Sequence, residues 1–531
     1  MKNLLQALII IAVTLISSWA SWQYWSGDAV IHLVYAETGA AGRWFEYNPG
    51  EISVGTSSIG WTYLMSWLVR LSGLKIALLS QKAILVVAVF SLPLVIWHFF
   101  RRHWPDKPGI AMLSALTAAA NPGTSFNAPL GMENAVFACL TLLAFFCFSP
   151  ARATQKGLAS SIFGGLLVGC AVLLRPEGVM VLGIVSLALL ISLFHRGCPR
   201  PGIYLVAAYY LVALLVIACG YGFLYQQTGV FFGGASASAR IMQARTHSWQ
   251  LIPGLLFFEP KVFFRAMGYL PLSLSLLALI ALSLRRIFRP SFSPSGACEY
   301  FARRVEIFQA ALMVLAAFCL YGFVTGAAHL GRYLIPIIPC AAATFGYCLL
   351  KINENTSPEL NRRVITVALL WMISVYSLEL YLRARDPGQK LGIDLDWIIS
   401  AAQPEARHQH TDALLARCGI ENASRANPAR IACVEVQSRF EFDDRVKVIS
   451  MDGRVWPIKT PMLFDEQGSV RWLDFIAFFK PDLIIERPQY VRMDVPDLIT
   501  DLFAKPPGSE ILRKPGLAIS RVQEGLKLRY E

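Results

Sequence analysis

Apolar runs of helical length alternate with short polar links along most of this chain, and basic residues gather in every second link. The first run, 4–20, follows Lys2 and is not followed by a small-residue cleavage site, which predicts an uncleaved first helix with a cytoplasmic N-terminus. Further runs cover 83–100, 110–120, 135–148, 158–174, 179–194, 204–224, 266–284, 307–327, 334–350 and 364–382. The basic links 101–103, 152–156, 195–200, 285–289 and 351–363 then share one side, as the positive-inside rule requires. The reading is a multi-span α-helical membrane protein of about eleven transmembrane helices, its C-terminus outside. It treats 59–71, interrupted by Arg70 and only about 13 residues long, as an interfacial helix, because roughly 20 residues cross a bilayer. As a span, that stretch would reverse every later link.

Two polar segments break the pattern. The first exterior loop, taken as 21–82 with its interfacial helix, contains a glycine-rich and aromatic stretch over 26–61. Within it, 29–40 predicts a short helix with Asp28 near its N-cap, and Asn48-Pro49-Gly50 predicts a turn. The second segment, TSFNAPLGMEN over 124–134, follows a run too short to cross, so it is expected to dip into a polar cavity. From 384 the composition changes: helix-like 395–418 precedes strand-like runs at 430–436, 446–450 and 481–486. That predicts a transmembrane domain over 1–383 and an exterior α/β domain over 384–531.

Composition agrees with membrane residence: 55% hydrophobic and 16% charged residues across 531 positions, with a mean hydropathy of +0.50. The net charge of +13 is spread over the cytoplasmic links, which sets nucleic-acid binding aside. Eleven cysteines show no ligand-like spacing, and only Cys418 and Cys433 fall in the polar C-terminal part, where a bridge and two buried thiols are equally open. No fixed-period repeat and no P-loop, HExxH or GxSxG pattern occurs.

The same parity places Asp28, Glu133, Arg175, Glu177, His329 and Arg332 at exterior ends of apolar segments. An ionisable group at a helix end has plain explanations: snorkelling, anchoring, or for Arg175 a pair with Glu177. Six of them on one face, beside a structured loop, predict a shared polar cavity opening outward. Carboxylates and arginines in one cavity suit a reaction that takes a proton from a hydroxyl while a phosphate leaves.

The run Gly27-Asp28-Ala29, then Tyr47-Asn48-Pro49-Gly50-Glu51, Thr56-Ser57-Ser58 and Trp61 resembles the first outer loop of GT-C membrane glycosyltransferases. It is most similar to the mycobacterial terminal arabinofuranosyltransferases and their bacterial relatives. Gly131-Met132-Glu133, Leu174-Arg175-Pro176-Glu177-Gly178 and Gly331-Arg332-Tyr333-Leu334-Ile335-Pro336 follow in the family's order, as do IACVEVQ, VKVISMDG and FFKPDLIIERP near the C-terminus.

The resemblance implies a polyprenyl-phosphate-linked sugar, such as arabinofuranose or another pentose or hexose, as donor and a cell-envelope glycan as acceptor. It also implies work at the outer face of a bacterial cytoplasmic membrane. Asp28 becomes the catalytic acid/base, with Glu133, Arg175, Glu177, His329, Arg332, Tyr47 and Asn48 around the substrates. Gly27 stands where the family often has a second acid, and a single carboxylate is a poor site for a divalent metal, so a divalent metal is left open but unsupported and no metal ligand is assigned. Oligomeric state and stereochemical course are left open by the sequence. A lipid or glycan flippase and an inactive glycan-binding scaffold are the rival classes.

Overall fold

The computed structural model describes residues 2–121, 123–124, 128–148, 157–194, 202–231, 305–324 and 335, most of 337–381, and short segments between 393 and 522. Helix α1, Lys2–Ser18, runs through one 3-10 turn, Trp19–Ser21, into strand β1, Tyr24–Trp25. Helix α2, Gly27–Ala40, and the hairpin of β2, Glu46–Asn48, and β3, Glu51–Ile52, complete the ordered core of the first loop. Then come α3, Ile59–His103; α4, Pro108–Ala120; α5, Asn134–Phe146; α6, Gly157–Leu174; α7, Gly178–Phe194; and α8, Ile203–Thr228. Helices α9, Val305–Val324, and α10, Ile337–Asn355, close the described part of the bundle.

Four described helices, α1 with its 3-10 turn, α3, α6 and α8, are long and apolar enough to cross a membrane, and the shorter α4, α5, α7 and α9 are apolar as well. Large apolar side chains such as Leu4, Ile16, Val87, Ile203 and Leu211 face outward, as a lipid-facing surface requires. The chain is a multi-pass membrane protein. Most of its apolar runs become helices whose bounds lie within about five residues of the expected ones; 83–100 lies inside the longer α3, and runs 266–284 and 364–382 lie wholly or partly outside the described residues. Helices α6 and α8 pack closely because α6 offers small residues there: a Cβ on Gly165 would sit 2.2 Å from the Tyr209 carbonyl oxygen.

The stretch 59–71 opens the long element α3, which is two helices meeting at Gly73, whose φ of 78° and ψ of 163° are non-helical. A separate first helix therefore ends within two residues of the expected bound, while the helix that follows starts well before the expected residue 83. The polar residues around the break are placed as follows. Arg70 is exposed and lies 5.8 Å from the Trp67 ring, while Gln81 and Lys82 are buried against neighbouring loops.

In the C-terminal part, β4, Ile393–Asp394, pairs antiparallel with β1, Trp25 opposite Ile393. The strands β5, Ala429–Cys433; β6, Val446–Ser450; β7, Leu483–Glu486; β8, Phe503–Ala504; and β9, Ala518–Val522 form one sheet in the order β6-β5-β7-β9-β8. β5 is parallel to both neighbours, and β9 is antiparallel to β7 and β8. Three of these strands fall on the runs expected from sequence. Cys418 and most of 395–418 lie outside the described residues.

Candidate active site

Asp28 sits in the first turn of α2, where a carboxylate is favoured by the helix dipole. The N-cap itself is Ser26, two residues before Asp28, and its hydroxyl accepts the Ala29 N–H at 3.2 Å. Two contacts hold this turn to the loop before α5. Ser26 N–H donates to the Leu130 carbonyl at 2.8 Å, and buried Lys82 donates from Nζ to the carbonyls of Tyr24, at 2.8 Å, and Pro129, at 2.7 Å. The same ammonium lies 4.1 Å from the centre of the Trp25 ring.

Gly131 explains why that loop comes so close. Its φ is +86°, and a Cβ there would fall 1.9 Å from Trp25 Nε1, so only glycine lets the chain pass over the indole. Gln81 Nε2 donates to the Gly131 carbonyl at 2.5 Å. Two residues on, Glu133 is carried into the interior at the start of α5, fully buried.

Glu133 meets Arg175 there. Arg175 leaves the end of α6 with its guanidinium buried; Nη1 donates to Glu133 Oε1 at 2.8 Å and also to Asn134 Oδ1. Its other edge forks onto Glu177, Nε to Oε2 at 3.1 Å and Nη2 to Oε1 at 2.8 Å. The structure therefore brings together three residues, Glu133, Arg175 and Glu177, that the sequence places at the same end of separate helices. It also shows Arg175 committed to carboxylates, which is the ion-pair alternative weighed from sequence, extended to Glu133.

One helical turn beyond Asp28, His32 completes the cluster. Its Nε2 is 3.7 Å from Glu133 Oε2, and its Nδ1 is 2.9 Å from Thr56 Oγ1. Tyr47 is buried edge-on to Tyr35, ring centres 5.4 Å apart. Asn48 points the other way, toward the outer sheet: Nδ2 donates to the Val448 carbonyl at 2.9 Å, and Oδ1 accepts the Val448 N–H at 2.8 Å. Beside it Lys447 Nζ donates to Glu51 Oε1 at 2.7 Å. The amide of Asn48 thus extends a strand ladder, a structural use that its place among the substrate contacts did not anticipate. His329 and Arg332 lie outside the described residues.

Among the described residues no group of three or more His, Cys, Asp or Glu is placed to hold a metal ion. The two buried carboxylates of the cluster, Glu133 and Glu177, are each paired with Arg175.

No family model matches the chain. It is 28% identical over 398 residues to the terminal β-(1→2)-arabinofuranosyltransferase of Mycobacterium tuberculosis, a match covering 69% of this chain and 60% of that protein. The match thus spans less than two thirds of that relative's length. Two solved structures superpose on nearly the whole chain. The archaeal oligosaccharyltransferase AglB from Archaeoglobus fulgidus, in complex with an inhibitory peptide and a dolichol-phosphate, has a TM-score of 0.53 at 12% identity, over 92% of this chain and 69% of that one. ArnT from Cupriavidus metallidurans, bound to undecaprenyl phosphate, has a TM-score of 0.52 at 12% identity, over 99% and 98%. The chain has the GT-C fold.

The resemblance read from the first loop is borne out. Within the GT-C fold, α2 and the Gly131 loop are local structures that sequence located by their polarity. The residues missed were His32, Thr56, Asn134, Gln81 and Lys82. For His32 the signal was present, four positions after Asp28 and therefore on the same face of a predicted helix. For Gln81 and Lys82 it was misread, because two polar residues beside an apolar run look like a boundary.

Proposed function

We propose that this protein is a membrane glycosyltransferase that moves a sugar from a polyprenyl-phosphate-linked donor to a hydroxyl of a cell-envelope glycan. The work takes place at the exterior face of a bacterial cytoplasmic membrane. The N-terminus is cytoplasmic, the bundle spans 1–383, and 384–531 forms an outer domain over the site. The observation that carries the reading is the junction of Asp28-bearing α2 with the buried Glu133–Arg175–Glu177 cluster at one end of a GT-C bundle. The relatives add support: one is named as an arabinofuranosyltransferase, and two structures hold dolichol-phosphate or undecaprenyl phosphate.

The chemistry is a single displacement in outline. The Asp28 carboxylate takes the proton of the acceptor hydroxyl as its oxygen bonds to the anomeric carbon. The bond from that carbon to the phosphate oxygen breaks, and its electron pair leaves with polyprenyl phosphate. Arg332 and His329 are assigned to the phosphate, since the guanidinium of Arg175 is engaged by Glu133 and Glu177 and instead holds Glu133 toward the acceptor side. Tyr47 shapes the wall beneath the loop.

The test is transfer of labelled sugar from a panel of polyprenyl-phosphate donors by membranes carrying wild type or Asp28→Asn at matched expression. Loss of a general base should lower turnover by about a hundredfold or more with expression unchanged. Equal transfer by both removes Asp28 from the chemistry. Movement of the lipid-linked sugar across vesicles without transfer establishes a flippase instead.

A further inference from the structure

His32 is buried on α2, one turn from Asp28, and its two ring nitrogens face different partners. Thr56 fixes which nitrogen holds the proton. Thr56 Oγ1 already accepts the Ser58 N–H at 3.1 Å and the Thr62 hydroxyl at 3.3 Å, so its one hydrogen is left to donate to His32 Nδ1 at 2.9 Å. Nδ1 is therefore an acceptor, and the ring N–H is on Nε2, which lies 3.7 Å from Glu133 Oε2, a contact longer than a hydrogen bond. That oxygen, buried, receives no hydrogen bond from the described residues, while Oε1 is held by Arg175.

Taking the proposed transfer reaction as its basis, we infer that His32 is a positioning residue. Its Nε2–H sets the second oxygen of Glu133, and its backbone ties that carboxylate to the turn of α2 that carries Asp28. Helix α2 carries Asp28 and His32 on one face because they are four residues apart. Any tilt of α2 that moves Asp28 moves His32 with it, and the Glu133 carboxylate is drawn along or released. The cluster also needs a donor here: its two carboxylates face one guanidinium, so Oε2 of Glu133 has excess negative charge and an N–H beside it offsets part of that charge.

The side-chain amides separate the two nitrogens. Glutamine reaches as far as Nε2 and restores a donor to Glu133; asparagine reaches only Nδ1 and serves Thr56 alone. In full-length protein, His32→Asn should lower kcat by about tenfold or more with KM changed by less than about threefold, and His32→Gln should recover most of that loss. A stability cycle of His32→Asn, Glu133→Gln and both, read as Tm in detergent, should be non-additive, the double variant losing less than the sum. An additive cycle overturns the inference whatever the activity, and so does an active wild type whose kcat His32→Asn leaves alone. If wild type transfers no sugar from any donor, the transferase reading falls, and the cycle still decides whether His32 places Glu133.

Discussion

Arg175 Nη1 lies 2.8 Å from Glu133 Oε1, joining two buried residues 42 positions apart in sequence. The guanidinium serves a second carboxylate on its other edge, so the two partners are not equivalent. Arg175→Met leaves two carboxylates without their cation and should destabilise the protein by about 3–5 kcal/mol. Glu133→Gln keeps an acceptor for Nη1 and leaves the fork with Glu177 in place, so its cost should be about half that or less. Thermal unfolding of the purified variants in one detergent gives the order directly; an equal loss for both would mean that Glu177 contributes nothing to holding Arg175.

Gly131→Ala brings two penalties. The Cβ would strike the Trp25 indole at 1.9 Å, and an alanine at φ +86° costs roughly 1–2 kcal/mol on its own. Trp25→Phe removes the nitrogen and the smaller ring of the indole but leaves the backbone strain, so it should recover part of the loss in the double variant. Tm values of the three variants check this, and full recovery would show that the backbone is not strained there.

These two sites also show what was legible in the sequence. Helix existence followed from apolar runs, because burial in lipid tolerates few alternatives. Glu133, Arg175 and Glu177 could be placed at one end by parity, yet nothing in spacing says that a residue before α5 and one after α6 touch. That contact depends on Gly131, whose turn over Trp25 is a tertiary event. Lys82 was read as a boundary for the same reason: its partners, the carbonyls of Tyr24 and Pro129, are brought to it only by the folded loops. The break at Gly73 falls two residues beyond the end expected for 59–71, but the helical residues between it and 83 were not legible, because Lys75, Gln81 and Lys82 read as a polar link.

Tyr35, in the ordered first loop, gives a prediction in pH. Burial pushes its phenol above the ordinary value, more than the hydrogen bond with Ser53 and the donated N–H of Gly55 draw it down. Below about pH 10 the phenol is protonated in both folded and unfolded chains and stability is independent of it. Above that, the unfolded chain loses the proton while the folded one keeps it, so stability falls by at most about 1.4 kcal/mol per pH unit. Tyr35→Phe should flatten this alkaline loss while lowering stability at neutral pH. Unfolding midpoints of both proteins between about pH 8 and 11 test it, and parallel curves would assign the alkaline loss elsewhere.

The last prediction concerns the hold of the outer sheet on the first loop. Asn48 bonds both the N–H and the carbonyl of Val448 and also donates from Nδ2 to Glu51 Oε2 at 3.2 Å, whereas Lys447 and Glu51 form a half-exposed pair nearby. A buried amide that satisfies one N–H and one carbonyl has no replacement in alanine, so Asn48→Ala should cost about 1–3 kcal/mol at this junction. Lys447→Met should cost under about 1 kcal/mol, since water and salt screen the exposed charges. Helix packing is untouched by either change. Limited proteolysis should therefore cut the C-terminal part of Asn48→Ala faster than that of wild type, while the bundle fragment survives as before and Lys447→Met behaves almost as wild type. Asn48→Asp separates the two bonds: its carboxylate still accepts the Val448 N–H but cannot donate to the Val448 carbonyl, and it sits 3 residues from Glu51. It should be cut at least as fast as alanine. Protection of Asn48→Asp equal to wild type would mean that the accepted N–H alone holds the sheet in place.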